Sequence, residues 1–118
     1  MNKLTIPGRL PGLNEYIKAM NSNRYVGAKM KKTNTELVAW LCKEQKLGHC
    51  TPVEIIFTWY EPNKKRDKDN VCAGGRKFIL DGLVQAGVLD GDGWKGYGDF
   101  DDRFEIDKKQ PRIEVELI

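Results

Sequence analysis

The stretch Val53-Glu54-Ile55-Ile56-Phe57-Thr58-Trp59-Tyr60 carries the clearest β-strand pattern in the chain and decides its fold. Apolar side chains occupy every second position, which places them on one face of a strand. The residues on that face are Val53, Ile55, Phe57 and Trp59. Ile56 adds an apolar side chain to the opposite face, so we predict a central strand that is partly covered on both sides.

A helical pattern precedes this strand. Residues 34–47 repeat apolar side chains at helical spacing, a Thr-Asn-Thr-Glu capping-box signature stands at 33–36, and Gly48 marks the end. We therefore predict a helix over 34–47. Residues 11–20 favour only a short helical turn, and the periodicity of 21–32 does not decide between loop and helix.

A second helical pattern follows the strand, over residues 76–86, and ends at Gly87. Gly74-Gly75 lies just before it. A glycine inside a helix costs about 1 kcal/mol relative to alanine. We therefore expect a bend or loop over 70–76.

Three further strands are predicted near residues 3–6, 104–106 and 113–117, where apolar and polar residues alternate beside turn residues. The resulting order is β-α-β-α-β-β. It predicts one α+β (mixed α/β) domain over 1–118, with a small sheet of about four strands packed with two main helices.

The composition, 40% hydrophobic and 31% charged, is typical of a soluble globular domain. No apolar run reaches the roughly 20 residues of a membrane span, and the N-terminal residues lack a signal-peptide core. The three cysteines are widely spaced and predict reduced thiols rather than disulfides. We therefore expect a cytoplasmic protein without a membrane partner.

Charge is distributed unevenly along the chain. Residues 1–66 hold twelve basic and five acidic residues, a net charge of +7, whereas residues 67–118 hold eight and twelve, a net charge of −4. A basic half favours binding of a polyanion and an acidic half favours a metal ion, as a nuclease needs. A surface of mixed charges explains the same counts.

The sequence Arg66-Asp67-Lys68-Asp69-Asn70 follows the central strand. On an extended backbone its two carboxylates point the same way, and they repel each other unless protons or a cation compensate. Lys64 and Lys65 precede them. A hard divalent cation in a surface that attracts polyanions satisfies both features. Such acid pairs are, however, more often turn formers or helix caps, so both interpretations stay open.

A divalent site needs a third ligand, and Asp92, on the turn after the second helix, is the leading candidate, with Asp90 as its substitute. Lys77 and Asp81 lie four residues apart on one helical face. They fit either a surface ion pair or a lysine that stabilises a transition state.

The single histidine, His49, favours neither a zinc site nor a histidine-activated nucleophile. Among the aromatic residues we expect Trp59 in the core and Trp94, in a glycine-rich turn, to be exposed.

Five motifs, taken in order over nearly the whole chain, resemble those of the RusA-type Holliday junction resolvases common in prophages. The motifs are Pro11-Gly12-Leu13-Asn14-Glu15-Tyr16, Arg66-Asp67-Lys68-Asp69-Asn70, Lys77-Phe78-Ile79-Leu80-Asp81-Gly82-Leu83, Ala86-Gly87-Val88-Leu89 and Asp92-Gly93-Trp94.

The resemblance implies a homodimeric, Mg²⁺-dependent endonuclease that nicks two opposed strands of a four-way DNA junction in recombination and repair, with Mn²⁺ as a substitute ion. It places the catalytic and metal-binding aspartates at Asp67, Asp69 and Asp92 and the catalytic lysine at Lys77, with support from Asp81 and Asn70.

Basic residues outside the acid pair are expected to bind backbone phosphates. They are Arg24, Lys29, Lys31, Lys32, Lys64, Lys65 and Arg66. The alternatives to a resolvase are a non-catalytic DNA-binding accessory protein and a nuclease that acts on other branched DNA.

Overall fold

The strand that decides the fold lies in the middle of a four-stranded mixed sheet. In the computed structural model, which describes residues 2–118, the strand order is β1-β4-β2-β3. The strands are β1 (Asn2–Pro7), β2 (Glu54–Glu61), β3 (Asp99–Ile106) and β4 (Arg112–Leu117). Only β2 and β3 are parallel; β4 is antiparallel to both β1 and β2. The predicted central strand is confirmed, whereas Met1, the first residue of the predicted domain, lies outside the described residues.

Three helices accompany this sheet: the second and third contact its strands, and the first packs against the other two. The α+β prediction is confirmed, with one helix more than the two predicted and the order β-α-α-β-α-β-β. The helices are α1 (Leu13–Ser22), α2 (Arg24–Glu44) and α3 (Lys68–Gln85). None of these helices, in the part of the chain that is described, is long and apolar enough to cross a membrane.

The start of α2 lies ten residues before the predicted one. Asn23 caps the helix, because its side-chain oxygen accepts a hydrogen bond from the N–H of Tyr25 at 2.8 Å. The predicted capping box at 33–36 is therefore wrong, since these residues lie inside the helix. Thr35 is instead a buried residue against α3, where its carbonyl oxygen lies 3.0 Å from the position of a Cβ on Gly82.

The loop expected over 70–76 is also wrong, because α3 runs without a break from Lys68. Gly74 and Gly75 let the helix approach its neighbours. A Cβ on Gly74 would lie 2.7 Å from the backbone nitrogen of Leu13, and a Cβ on Gly75 would lie 2.7 Å from the ring of Trp59. Tertiary packing thus outweighs the low helix propensity of glycine.

The inner face of β2 forms the centre of the core. Ile55, Phe57 and Trp59 are fully or almost fully buried, and the last two rings stack with centroids 6.0 Å apart. Trp59 is therefore a core residue, as predicted. Val53 is not, because it precedes the strand and is 74% exposed.

The segment β2-α3-β3 is a βαβ unit, in which a helix connects two parallel strands. Its strands end near each other, at Glu61 and Ile106, which are paired in the sheet. The N-terminus of α3 follows the end of β2 after a loop of six residues, 62–67. In sheets of this kind ligands bind outside the carboxyl ends of the parallel strands.

The outer face of the sheet carries a network of charged side chains. Glu114 accepts hydrogen bonds from Lys3 and, at 2.8 Å, from Arg112, whose guanidinium also lies 3.8 Å from the ring centroid of Tyr60. These bonds, chiefly the one from Lys3, lower the pKa of Glu114, and the same contact raises the pKa of Lys3.

We predict that Gly74→Ala lowers the free energy of unfolding by roughly 1–3 kcal/mol, although alanine favours helices, because the new methyl group meets backbone that cannot move aside. Urea unfolding measures the change. Gly48→Ala is the control, because nothing lies within 4 Å of its Cβ position. Equal stability of the two variants would contradict the role given to Gly74.

We also predict a pH dependence of stability that arises from Glu114. Its pKa is lowered by folding, so its contribution is present above its ordinary value of 4.5 and is lost as the pH falls through the folded value. Urea unfolding between about pH 5 and about pH 3 should therefore show a shallower loss of stability for Glu114→Gln than for the wild type. Glu116→Gln, which removes a carboxylate that forms no ion pair within residues 2–118, should retain the wild-type slope.

Candidate functional site

The acid pair lies at the N-terminus of α3. Asp67 is the N-cap residue and Asp69 lies in the first turn, and both are exposed. The side chain of Asp67 makes no capping hydrogen bond, and none of the ion pairs formed within residues 2–118 involves either carboxylate. Both carboxylates are therefore free to bind a ligand.

The loop before the acid pair is fixed by Arg66. Its Nε and Nη2 donate hydrogen bonds to the two carboxylate oxygens of Glu61, each at 2.9 Å, and its Nη1 donates to the carbonyl oxygen of Leu10 at 3.1 Å. Glu15 lies 3.5 Å from the same Nη1. The side chains of Arg66 and Glu61 are only 14% and 11% exposed. Most donors of Arg66 are thus used inside the protein, so it anchors the loop rather than presenting a charge to DNA.

Asn70, predicted to support the site, joins α3 to the start of α1. Its side-chain oxygen accepts a hydrogen bond from the N–H of Asn14 at 2.8 Å, and its carboxamide lies against Gly12, where a Cβ would be 2.9 Å away. The motifs around residues 11–16 and 66–70 are therefore neighbours in space. The contact orients the first turn of α3, which carries the acid pair.

A cleft of about 580 Å³ adjoins Asp67 at the carboxyl ends of β2 and β3. Its lining consists of charged and polar residues, which we call its rim, and of three apolar residues, which we call its floor. The polar set is Glu61, Asn63, Lys64, Arg66, Asp67, Lys68 and Glu105, and the apolar set is Val71, Phe104 and Ile106. The predicted site residues Lys64 and Asp67 are thus brought together. Phe104 was predicted only as a strand residue, since nothing local shows that β3 pairs with β2.

Asp92 lies in the loop after α3, away from the start of that helix. It lines two clefts together with Asp81, and Lys77 lines one of them. Asp69 and Asp81 are twelve residues apart in one helix, or roughly 18 Å along its axis. Within residues 2–118 no group of three or more histidine, cysteine, aspartate or glutamate side chains is placed to hold a metal ion. The described chain therefore does not bring Asp92 to the acid pair, because the segment expected to be a loop is helical.

Asp81 and Asp92 line a cleft between α2 and α3. Asp81 forms an ion pair with Lys31 at 3.6 Å rather than with Lys77, so the predicted pairing within α3 does not form. One carboxylate oxygen of Asp81 and the hydroxyl group of Thr35 are buried and have no hydrogen-bond partner among the described residues. Asp90, the substitute ligand, instead lies 2.9 Å from His49.

One side of α3 connects the acid pair with the cleft that contains Asp92. Asp69, Ala73 and Lys77 follow one another at four-residue spacing, so they lie on one side of α3. Ala73, Lys77 and Asp92 line the same cleft. This side of the helix covers about 12 Å from Asp69 to Lys77, and Asp92 lies beyond Lys77 in the same cleft.

The predicted phosphate-binding residues divide between two surfaces. Lys64 and Lys65 lie beside the acid pair in the loop before α3, and Lys31 and Lys32 line the cleft that contains Asp81 and Asp92. Of the three remaining members of the set, Arg24 and Lys29 are exposed on α2, and Arg66 is the loop anchor described above. Trp94, predicted as an exposed aromatic residue, is fully exposed in the loop after α3.

The free carboxylates of Asp67 and Asp69 fit Mg²⁺. This ion binds oxygen ligands, retains several waters and is usually held by one or two carboxylates together with substrate phosphates. Asp67 lines the cleft with Lys64 and Lys68, whereas Asp69, in the first turn of the helix, does not. The two unpaired carboxylates are therefore candidate ligands on adjoining surfaces at the start of α3, and the extended backbone that would have pointed them the same way is not present at Asp69.

Comparison of the chain with protein-family models and with curated proteins found no match.

We predict that Arg66→Ala destabilises the protein by about 3 kcal/mol, because it removes both hydrogen bonds to the buried carboxylate of Glu61 and leaves it only the longer contact with Arg9, at 3.9 Å. Lys64→Ala, at an exposed position of the same loop, should change stability by less than about 0.5 kcal/mol but weaken DNA binding. Thermal or urea unfolding combined with a DNA-binding titration separates the two effects. Unchanged stability of Arg66→Ala would contradict its role as an anchor.

Proposed function

We propose that this protein is a Mg²⁺-dependent endodeoxyribonuclease specific for branched DNA, and that its substrate is the four-way junction cut by the RusA-type resolvases that it resembles. The observation that carries the proposal is the pair of free carboxylates of Asp67 and Asp69 at the start of α3, of which Asp67 lines a cleft together with two lysines. A purely structural aspartate at the N-cap position would be expected to accept a hydrogen bond from a first-turn amide, and the side chain of Asp67 accepts none.

In this proposal Asp67 and Asp69 hold Mg²⁺, or Mn²⁺ in its place. The bound ion would activate water and neutralise charge on the scissile phosphate. Lys64 and Lys65 bind the adjacent backbone phosphates, and Arg66 keeps the loop rigid through Glu61. Rigid placement of the carboxylates favours the reaction, since small displacements of catalytic groups lower rates strongly.

The side of α3 between Asp69 and Asp92 supports a path for the DNA strand. A strand that follows this side of the helix from the acid pair reaches the exposed ammonium group of Lys77, which compensates phosphate charge. Asp92, with Asp81 behind it, then lies at the far end of the path. Lys31 and Lys32 continue the basic surface on α2.

A homodimer is part of the proposal, because two identical sites related by a two-fold axis match the approximate symmetry of a four-way junction. The alternative of a non-catalytic DNA-binding protein is favoured by one observation, the separation of Asp92 from the acid pair within residues 2–118. The other alternative, a nuclease for other branched DNA, uses the same residues.

We predict that Asp69→Asn binds a four-way junction as tightly as the wild type in the absence of divalent ions but loses at least about a hundredfold in nicking rate with Mg²⁺, because the amide is a poor ligand for a hard cation. Gel-shift binding and single-turnover cleavage measure the two effects. Asp99→Asn, an exposed carboxylate at the opposite end of β3, is the control. Wild-type cleavage by Asp69→Asn would refute the assignment of the acid pair.

The substrate class is tested with four-way, three-way and linear DNA digested side by side at several salt concentrations. We expect paired nicks in the four-way junction and a steep fall of affinity with salt. Binding that is indifferent to Mg²⁺, without nicks in any substrate, would favour the accessory protein. Preferential cutting of three-way DNA would favour the nuclease for other branches.

A further inference from the structure

The cleft beside Asp67 has an apolar floor that hydrolysis of a phosphodiester does not need. Phe104 and Ile106 alternate on β3 and therefore face the same side of the sheet, and Val71 of α3 completes the floor. The strand β3 is rich in acidic residues, and Ile106 at its end leaves an apolar side chain 50% exposed. A ligand with an apolar, planar part would cover this surface.

The rim of the cleft suits a ligand with an anionic part. The charge of Glu61 is neutralised by Arg66, so Lys64 and Lys68 face Asp67 and Glu105 as the remaining charges. The ammonium group of Lys68 lies over the ring of Phe104, 5.4 Å from its centroid. A base that stacks on this face would take the place of the ammonium group, which would then lie beside the phosphate of the ligand. A divalent ion on Asp67 would leave the rim with net positive charge.

We propose that this cleft binds one unpaired nucleotide of a DNA strand, with its base stacked on Phe104 and its phosphate held by Lys64 and Lys68. The proposal rests on the proposed nuclease function and adds to it the form of the substrate next to the cut. Base stacking on aromatic side chains is tolerant of sequence. A volume of about 580 Å³ lies in the range of sites for small ligands.

The position of the cleft in the fold supports the same occupant. It lies outside the carboxyl ends of the two parallel strands, at the N-terminus of the crossover helix. The first-turn amide groups of a helix have no partner within the helix, and Asp67 does not cap them. They are therefore additional donors for a phosphate that lies beside the lysines.

An unpaired nucleotide also offers a physical reason for selectivity toward branched DNA. Extrusion of a base from an intact duplex costs stacking and pairing energy, whereas a base at a branch point has already lost part of both. A nuclease that must place a base in this cleft would therefore cut branched DNA in preference to linear duplex.

The test uses single-stranded oligonucleotides that carry 2-aminopurine, with EDTA present so that no cleavage occurs. Stacking on Phe104 should quench 2-aminopurine fluorescence in the wild type. Phe104→Ala should remove the quenching and weaken binding about tenfold, a typical loss for one stacked base. Tyr60→Ala is the control, because the ring of Tyr60 lies against Arg112 on the outer face of the sheet and lines none of the clefts described above.

Two further variants keep the test decisive if Phe104→Ala fails to fold. Phe104→Tyr retains the ring and should retain quenching. Ile106→Glu places a charge in the floor at an exposed position and should weaken binding to a similar extent as Phe104→Ala. Quenching that survives both Phe104→Ala and Ile106→Glu, or that Tyr60→Ala removes equally, would overturn the proposal.

Because this binding is measured without metal, its outcome is independent of the nuclease assignment. If quenching depends on Phe104 but the protein cuts no DNA, the nucleotide site is supported and the nuclease function is refuted. If the protein cuts DNA with Mg²⁺ but shows no such quenching, only the proposed nucleotide site is refuted.

Discussion

The close approach of α3 to its neighbours is the constraint on which the rest of the structure depends. Gly74 lets the helix reach the backbone at the start of α1, and Gly75 lets it lie on the ring of Trp59. If both glycines carried side chains, the helix would have to move outward, and the crossover between β2 and β3 would change with it. Its N-terminus, which carries the acid pair, is placed over the ends of the parallel strands by this packing.

The same contact explains which parts of the fold local patterns can predict. The alternation in β2 is strong because a central strand must bury one face, so the strand and its position followed from the sequence alone. The residues of α3 carry a contradictory signal, because Gly74 and Gly75 disfavour a helix locally and permit it only through partners distant in the chain. Similarly, α2 begins after the N-cap residue Asn23, whereas the capping-box pattern at 33–36 led to a predicted start ten residues later.

The candidate site shows a similar division. The acid pair and its lysines could be proposed from the sequence because they are consecutive in the chain, and their role as ligands stays a prediction. The role of Arg66 could not be proposed, since its partners Glu61 and Leu10 meet only after folding. Phe104 and Ile106 form part of a cleft only because β3 pairs in parallel with a strand more than forty residues earlier. Charge and composition carry no information on such pairings.

Negative charge at the start of a helix has an ordinary structural explanation, because it interacts favourably with the helix dipole by about 0.3–1 kcal/mol at an exposed site. That explanation accounts for Asp69, but it does not account for the loop beside it. A capping aspartate needs only a flexible turn and a free amide, whereas here Arg66 is fixed by two bonds to Glu61 and a third to Leu10, and Asn70 is bonded to the start of α1. Both residues that flank the acid pair are thus immobilised while the carboxylates stay free. Rigid support around unpaired charges is what a binding or catalytic site requires and what a helix cap does not, and it is the physical reason to assign the pair a ligand.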